Sequence, residues 1–352
     1  MRFAVLSSTP ASPTEGSGTF VALDGLILGL TRLGHEVQFR HLGFRTGFHT
    51  LDRWLYNAGV AVRPPRADVV LGVDLDGFLW ARGRAHVPFV VALKGIIADE
   101  LRNEHGWVRT LLGLQAEWER RNVHRADRVI VPSRYSAGVA AELYALPPAR
   151  IAVVPEPIDL AEWRRRFAGA ERRISSRPTV LAVARMYARK RLDDLLRAAA
   201  FLRRRIPDVQ VRIVGDGPER NRLGRLRVEL GLEDTVALLG EVSRAELSVE
   251  YVSADCFCLP TIQEGFGLVF AEAMAAGLPV VACRAAAVPE IVDDGRTGLL
   301  VTPKRPDELA TAMETVLMNH GLRKALADHA CQRVEAYDLD PVAKAFMEVL
   351  PS

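Results

Sequence analysis

Short apolar runs alternate with amphipathic stretches along most of the chain. "RFAVLS", "EVQFR", "DVVLGV", "PFVVAL", "RVIVPS" and "IAVVP" come first, then "TVLAVA", "VQVRIV", "VALLG", "DCFCLP" and "PVVAC". Runs of that length, separated by stretches of helical period, predict parallel strands covered by helices on both faces. The rhythm restarts after "AEWRRRFAGAERRISSRP", a polar stretch without a strand. The pattern therefore predicts an α/β protein of two doubly wound Rossmann-like domains, residues 1–160 and 178–330, joined by a linker over 161–177. A helical segment, 331–352, follows and is free to pack back on the first domain. In such folds ligands lie outside the carboxyl ends of the strands, so a central cleft faced by both domains is the expected site.

Composition changes this picture little. The 352 residues are 49% hydrophobic, enough for two packed cores. No apolar run reaches about 18 residues, and "MRFAVLSSTP" is too short and polar for a signal peptide, so a soluble, cytoplasmic protein with free thiols is expected. Charge is more informative. Residues 161–230 hold 19 Lys and Arg against 8 Asp and Glu, and residues 231–352 hold 9 against 19. No recognised nucleic-acid-binding module accompanies the arginines, which disfavours nucleic acid and leaves a solvated helix face or a surface for an acidic or phosphorylated ligand or lipid.

The stretch "EGFGLVFAEAMAAGLPVVA" carries the clearest chemistry. Leu268, Phe270, Ala271, Met274 and Ala275 predict a short helix ended by Gly277, so Glu264 lies in the entering loop and Glu272 more than a turn inside. Either the two carboxylates flank a ligand, with Gly265 and Gly267 leaving the first N–H groups of the helix open to an anion, or they are solvated acids beside a loop-helix joint. Arg185 and Lys190 in "RMYARKR" follow the first strand of the second domain; either they are spaced to grip two phosphates or they are two more basic residues of the basic segment. Gly215 and Gly217 in "GDGPER" make a tight turn suited to a base or ribose. Gly16 and Gly18 precede the first helix without forming a dinucleotide fingerprint. Asp74-x-Asp76 has a spacing able to chelate a divalent ion, but it has no third ligand in sequence, which favours solvated strand-end acids and no metal. No nucleophile motif or zinc cluster is present. "WVRTLLGLQAEWERRNVHR" reads as a packed surface helix, with a peripheral membrane contact through Trp107 and Trp118 as the other reading.

With these residues in hand, the chain resembles the family-4 glycosyltransferases, retaining enzymes of the GT-B fold that use nucleotide-sugar donors. "VARMYARKRLDDLL", "IVGDGPER", "PTIQEGFGLVFAEAMAAGLPVVA" and "VPEIVDDGRTGLLV" match that family's blocks in order. The resemblance implies that Arg185 and Lys190 stabilise the leaving diphosphate and that Glu264 binds donor-sugar hydroxyls. It also implies that Glu272 takes the ribose, while the backbone of Phe266, Gly267 and Leu268 meets sugar and phosphate. Gly16, Gly18, Gly215 and Gly217 complete the donor set. The implied activity is hexosyl transfer without metal or cofactor, from a nucleoside diphosphate sugar to a glycan, lipid-linked or small-molecule acceptor. An epimerase and a non-catalytic nucleotide-sugar or polyanion binder are the alternatives. Two positions depart from the family pattern: Lys94 stands where a histidine is usual, with His105 as a substitute, and Glu156-Pro157 stands where Asn-Gly is usual. At Lys94 the sequence implies a fixed positive charge that holds an anionic acceptor or the leaving group, or a lysine paired with Asp99 or Glu100.

Overall fold

The structure is a computed structural model, and it describes residues 1–9, 18–43, 45–84, 86–103, 106–173 and 177–351. The described residues form twelve strands: β1 (Arg2–Ser7), β2 (Glu36–His41), β3 (Val69–Val73), β4 (Phe89–Ala92), β5 (Arg128–Val131), β6 (Ile151–Val153), β7 (Thr179–Val183), β8 (Gln210–Val214), β9 (Val236–Gly240), β10 (Cys256–Leu259), β11 (Val280–Cys283) and β12 (Gly298–Val301). They make two six-stranded parallel sheets, ordered β2-β1-β3-β4-β5-β6 and β12-β11-β10-β7-β8-β9. Eleven of the twelve are legible as apolar runs. The twelfth, β12, is four residues at a sheet edge and opens on Gly298, where a methyl group would sit 2.2 Å from the Val280 carbonyl oxygen.

Chain contacts divide the protein into one unit of Met1–Ile158 with Asp338–Ser352 and a second of Asp159–Tyr337. In the first, consecutive strand residues point into different cores. Ala4, Leu6, Val70 and Val91 meet Val123, Val139 and Tyr144 on one side of the sheet, while Phe3, Val5, Leu71 and Val90 meet Leu23, Leu26, Leu30 and Phe346 on the other. Burial on both faces is what turns the strands into continuous apolar runs. The helix Leu339–Glu348 lies against the helix Gly18–Arg32 so closely that a methyl at Gly29 would come within 2.9 Å of Ala343 Cβ.

The stretch read as a linker is partly ordered structure of the second unit. Asp159 caps the helix Leu160–Ala168 by accepting from the Glu162 N–H at 3.0 Å, and Trp163 is buried. Leu160, Trp163 and Phe167 hold the apolar spacing that the surrounding arginines obscure. Many arginines of the basic segment are taken up in pairs: Arg173 and Arg212 both grip Glu250, Arg191 grips Asp194 and Arg205 meets Glu314. Cys256, Cys258 and Cys283 are buried, and all four cysteines are free thiols. No helix among the described residues is long and apolar enough to cross a membrane. In the helix Gly106–Arg125, Trp107 is exposed, but Trp118 stacks on Phe78 at 5.3 Å and is a packing residue rather than a surface anchor.

Candidate functional site

In the second sheet the chain leaves β7 towards β8 and β9 on one side, and β10 leads to β11 and β12 on the other. β7 and β10 are neighbours from which the connections diverge, the topological switch point at which open α/β sheets bind ligands. The loops after these two strands carry Arg185, Lys190 and Glu264.

The β7 loop is tied on both sides. Towards β8, the Met186 N–H donates to Asp216 O at 2.8 Å and the Glu219 N–H donates to Met186 O at 3.0 Å. This close approach is the reason for the two glycines of "GDGPER": a methyl at Gly215 would sit 2.1 Å from Ala184 O, and one at Gly217 would sit 2.8 Å from Met186 N. Both have positive φ, 120° and 156°. What the two glycines do here is let two backbones meet. Towards β10, the Ile262 N–H and the Thr261 hydroxyl donate to Arg189 O at 3.0 and 3.3 Å. Lys190 then reaches across the switch point and ion-pairs with Glu264. Arg185 stands farther out, 42% exposed, with Glu241 at 3.5 Å.

Gly267 caps the helix Leu268–Ala275 in the left-handed region, φ 95°, where a methyl would press on Phe270 at 2.6 Å and on Glu264 Cγ at 3.1 Å. No side chain caps this helix, so its first N–H groups and its dipole are presented without an anion of the helix's own. Phe266 is buried against Tyr337, ring centroids 5.1 Å apart, and only its backbone is placed to meet a ligand. Gly277, φ 71°, ends the helix as the sequence implies. Inside the helix, Glu272 accepts from the Tyr251 hydroxyl at 2.8 Å, and burial raises its carboxyl above the usual range. Tyr251 packs among Trp163, Phe167 and Phe257. It went unread in the sequence because nothing in "VEYVSAD" separates a tyrosine that holds a carboxylate from one that fills a core.

In the first unit β1 and β3 are the diverging neighbours. Gly18 begins the first helix; Gly16 and His105 lie outside the described residues. Asp74 and Asp76 are not solvated strand-end acids. Asp76 is buried and accepts from the Ser8 N–H at 2.6 Å, the Ser8 hydroxyl at 2.8 Å and Asn57 at 2.9 Å, so it joins the ends of β1 and β3. Asp74, at φ 53°, accepts from the Lys94 N–H at 2.7 Å, and burial pushes its carboxyl up to about 6. Glu119 is buried beside it, raised well above the usual range by burial and then by Asp74, and it accepts from the Ile97 N–H and the Tyr144 hydroxyl. The Lys94 ammonium meets Glu156 at 2.6 Å, a partner 62 residues away in sequence. Among the described residues no three His, Cys, Asp or Glu side chains are grouped to hold a metal ion.

Two doubly wound parallel domains, the second carrying a cation pair and an uncapped helix start at its switch point, define the GT-B class. The chain belongs to the family-4 glycosyltransferases: residues 38–162 match the family described as "Glycosyltransferase Family 4" and residues 164–333 match "Glycosyl transferases group 1". It is similar to the GDP-mannose-dependent alpha-(1-6)-phosphatidylinositol monomannoside mannosyltransferase of Mycolicibacterium smegmatis, 35% identical over 63% of this chain and 60% of that protein. It is also similar to the D-inositol 3-phosphate glycosyltransferase of Actinosynnema mirum, 34% identical over 65% of this chain and 58% of that one. The matched segments span about 60% of the length of these relatives. The structure of sucrose-phosphate synthase from Thermosynechococcus elongatus shares the fold, with TM-score 0.83 and 20% identity over 99% of this chain and 98% of that one.

Proposed function

We propose that the protein is a retaining, metal-independent glycosyltransferase that moves a hexose from a nucleoside diphosphate sugar to a hydroxyl of an acceptor. The observation that carries this reading is the Lys190–Glu264 pair beside the start of the helix Leu268–Ala275, at the switch point of the second sheet. An ammonium has three N–H donors, and Glu264 takes one of them. In this reading the pyrophosphate lies against Lys190, Arg185 and the first N–H groups of the helix. Glu264 holds sugar hydroxyls at one end, and Glu272, held by Tyr251, takes the ribose at the other. The bond from the anomeric carbon to the phosphate oxygen breaks as the acceptor oxygen bonds to the same face. The acceptor proton passes to the departing phosphate, and the cations stabilise the negative charge that develops there, an effect worth roughly 10²–10³ in rate per well-placed group.

The Mycolicibacterium smegmatis relative points to GDP-mannose as the first donor to try. Incubation with GDP-mannose, UDP-glucose and other sugar nucleotides in excess EDTA, with the product's anomeric configuration read by NMR, is the test. Transfer with retention is expected. Inversion, dependence on added Mn²⁺ or Mg²⁺, a changed sugar stereocentre or binding without turnover would each overturn the reading.

A further inference from the structure

The two positions at which the sequence leaves its family's pattern are the two ends of one ion pair. Lys94 lies two residues beyond β4 and Glu156 three beyond β6, with β5 between them, so the pair reaches over the end of β5 at the carboxyl edge of the first sheet. The side chains are only 9% and 7% exposed. Both are held by the backbone. The Lys94 N–H is fixed by Asp74, and Glu156 sits between Pro155 and Pro157, which confine its backbone to extended conformations. Pro157 in turn packs on Gly25, where a methyl would stand 3.1 Å from the proline ring. A buried ion pair adds little stability, because the loss of water around both charges offsets their attraction. Two backbone devices that fix such a pair at a ligand-binding edge therefore point to recognition.

The pair also changes what that edge can recognise. Glu156 neutralises Lys94, and Arg53, a second buried cation, already acts on Asp74, Asp76 and Glu119. Among these described groups two cations face four carboxylates, Glu156, Asp74, Asp76 and Glu119, so the pair itself offers a phosphate no net positive charge. It has an ammonium that gives one N–H to Glu156 and a carboxylate beside it, a donor and an acceptor side by side, as adjacent hydroxyls of a sugar or polyol require.

We propose that Lys94 and Glu156 act as one acceptor-recognition unit for uncharged, adjacent hydroxyls, and that Glu156 excludes acceptors phosphorylated at those hydroxyls. This rests on the glycosyltransferase reading and adds the class of acceptor. Exclusion follows because a phosphate drawn to Lys94 would be placed against the Glu156 carboxylate.

The experiment is calorimetry of the whole protein, saturated with GDP, against two probes, myo-inositol and D-inositol 3-phosphate. The wild type should favour myo-inositol. Glu156→Gln releases the ammonium from its counter-charge and should move the ratio of the two affinities about 10- to 100-fold towards the phosphate, the range for one charge-assisted hydrogen bond. The double variant Lys94→Met/Glu156→Leu replaces the pair by apolar side chains, so it should keep its melting temperature and lose affinity for both probes. A wild type that favours the phosphate overturns the proposal. So does a ratio unchanged by Glu156→Gln, including absence of binding of either probe, or a double variant that binds like the wild type. Failure of the underlying reading shows separately, as no release of nucleoside diphosphate from any sugar nucleotide by the wild type.

Discussion

At the carboxyl edge of the second sheet Arg185 stands 42% exposed with its carboxylate partner at 3.5 Å, and an uncapped helix start lies beside the Lys190–Glu264 pair. At the same edge of the first sheet Lys94 is closed against Glu156, and Asp74, Asp76 and Glu119 are buried with their carboxyls raised. The same architecture thus leaves an exposed arginine and an uncapped helix start at one edge and closes its buried charges against one another at the other. A diphosphate needs the first arrangement, because two phosphates must be matched by cations and N–H dipoles. Hydroxyls need the second, where direction matters more than charge. Each lysine pairs with a glutamate, so in the proposed reading the two sheets differ through what surrounds that pair: an exposed arginine and an uncapped helix start at one edge, buried carboxylates at the other.

The largest effect expected is on folding of the first unit. Lys94→Ala leaves Glu156 buried and unpaired and should cost about 3–5 kcal/mol of unfolding free energy, measured by urea titration; a loss below about 1 kcal/mol would mean that the pair is solvated in solution. Arg185→Ala at the exposed edge should behave oppositely, with a melting temperature near the wild type's and turnover of the sugar nucleotide lowered about 10²–10³-fold. Unimpaired turnover by that variant would remove the contrast. Gly267→Ala sits between these cases: a left-handed alanine pressed on Phe270 should cost about 1–3 kcal/mol and weaken nucleoside diphosphate binding with it. The smallest effect is a pH slope. The Asp74 carboxyl titrates at about 6 in the folded chain against 3.8 in the free group, so its contribution is fully present below about pH 4 and lost as pH rises through about 6. The stability difference between wild type and Asp74→Asn should therefore fall over that range. A difference that rises with pH would mean that Asp74 is held as a carboxylate.

The second edge was largely legible in the sequence because its parts are local. Arg185 and Lys190 share one loop, Glu264 and Gly267 another, and the spacing of each follows from a strand end or a helix start. The first edge was not. Lys94 and Glu156 are 62 residues apart, and only the strand order β4-β5-β6 brings them together. Asp74 and Asp76 looked like solvated acids because their partners, Ser8, Asn57 and the Lys94 N–H, come from three separate elements. The helix Leu160–Ala168 was hidden by the arginines between its apolar positions, and with it the aromatic packing that holds Tyr251 against Glu272.

The placement of a donor along the second edge is tested most directly by calorimetry of GDP and UDP with the wild type, Glu272→Ala and Glu264→Ala. If Glu272 takes the ribose and Glu264 the sugar, Glu272→Ala should lose about 1.5–3 kcal/mol of binding, while Glu264→Ala should bind the free diphosphate nearly as the wild type does and fail only in turning over the sugar nucleotide. Equal losses of diphosphate affinity in the two variants would contradict the account.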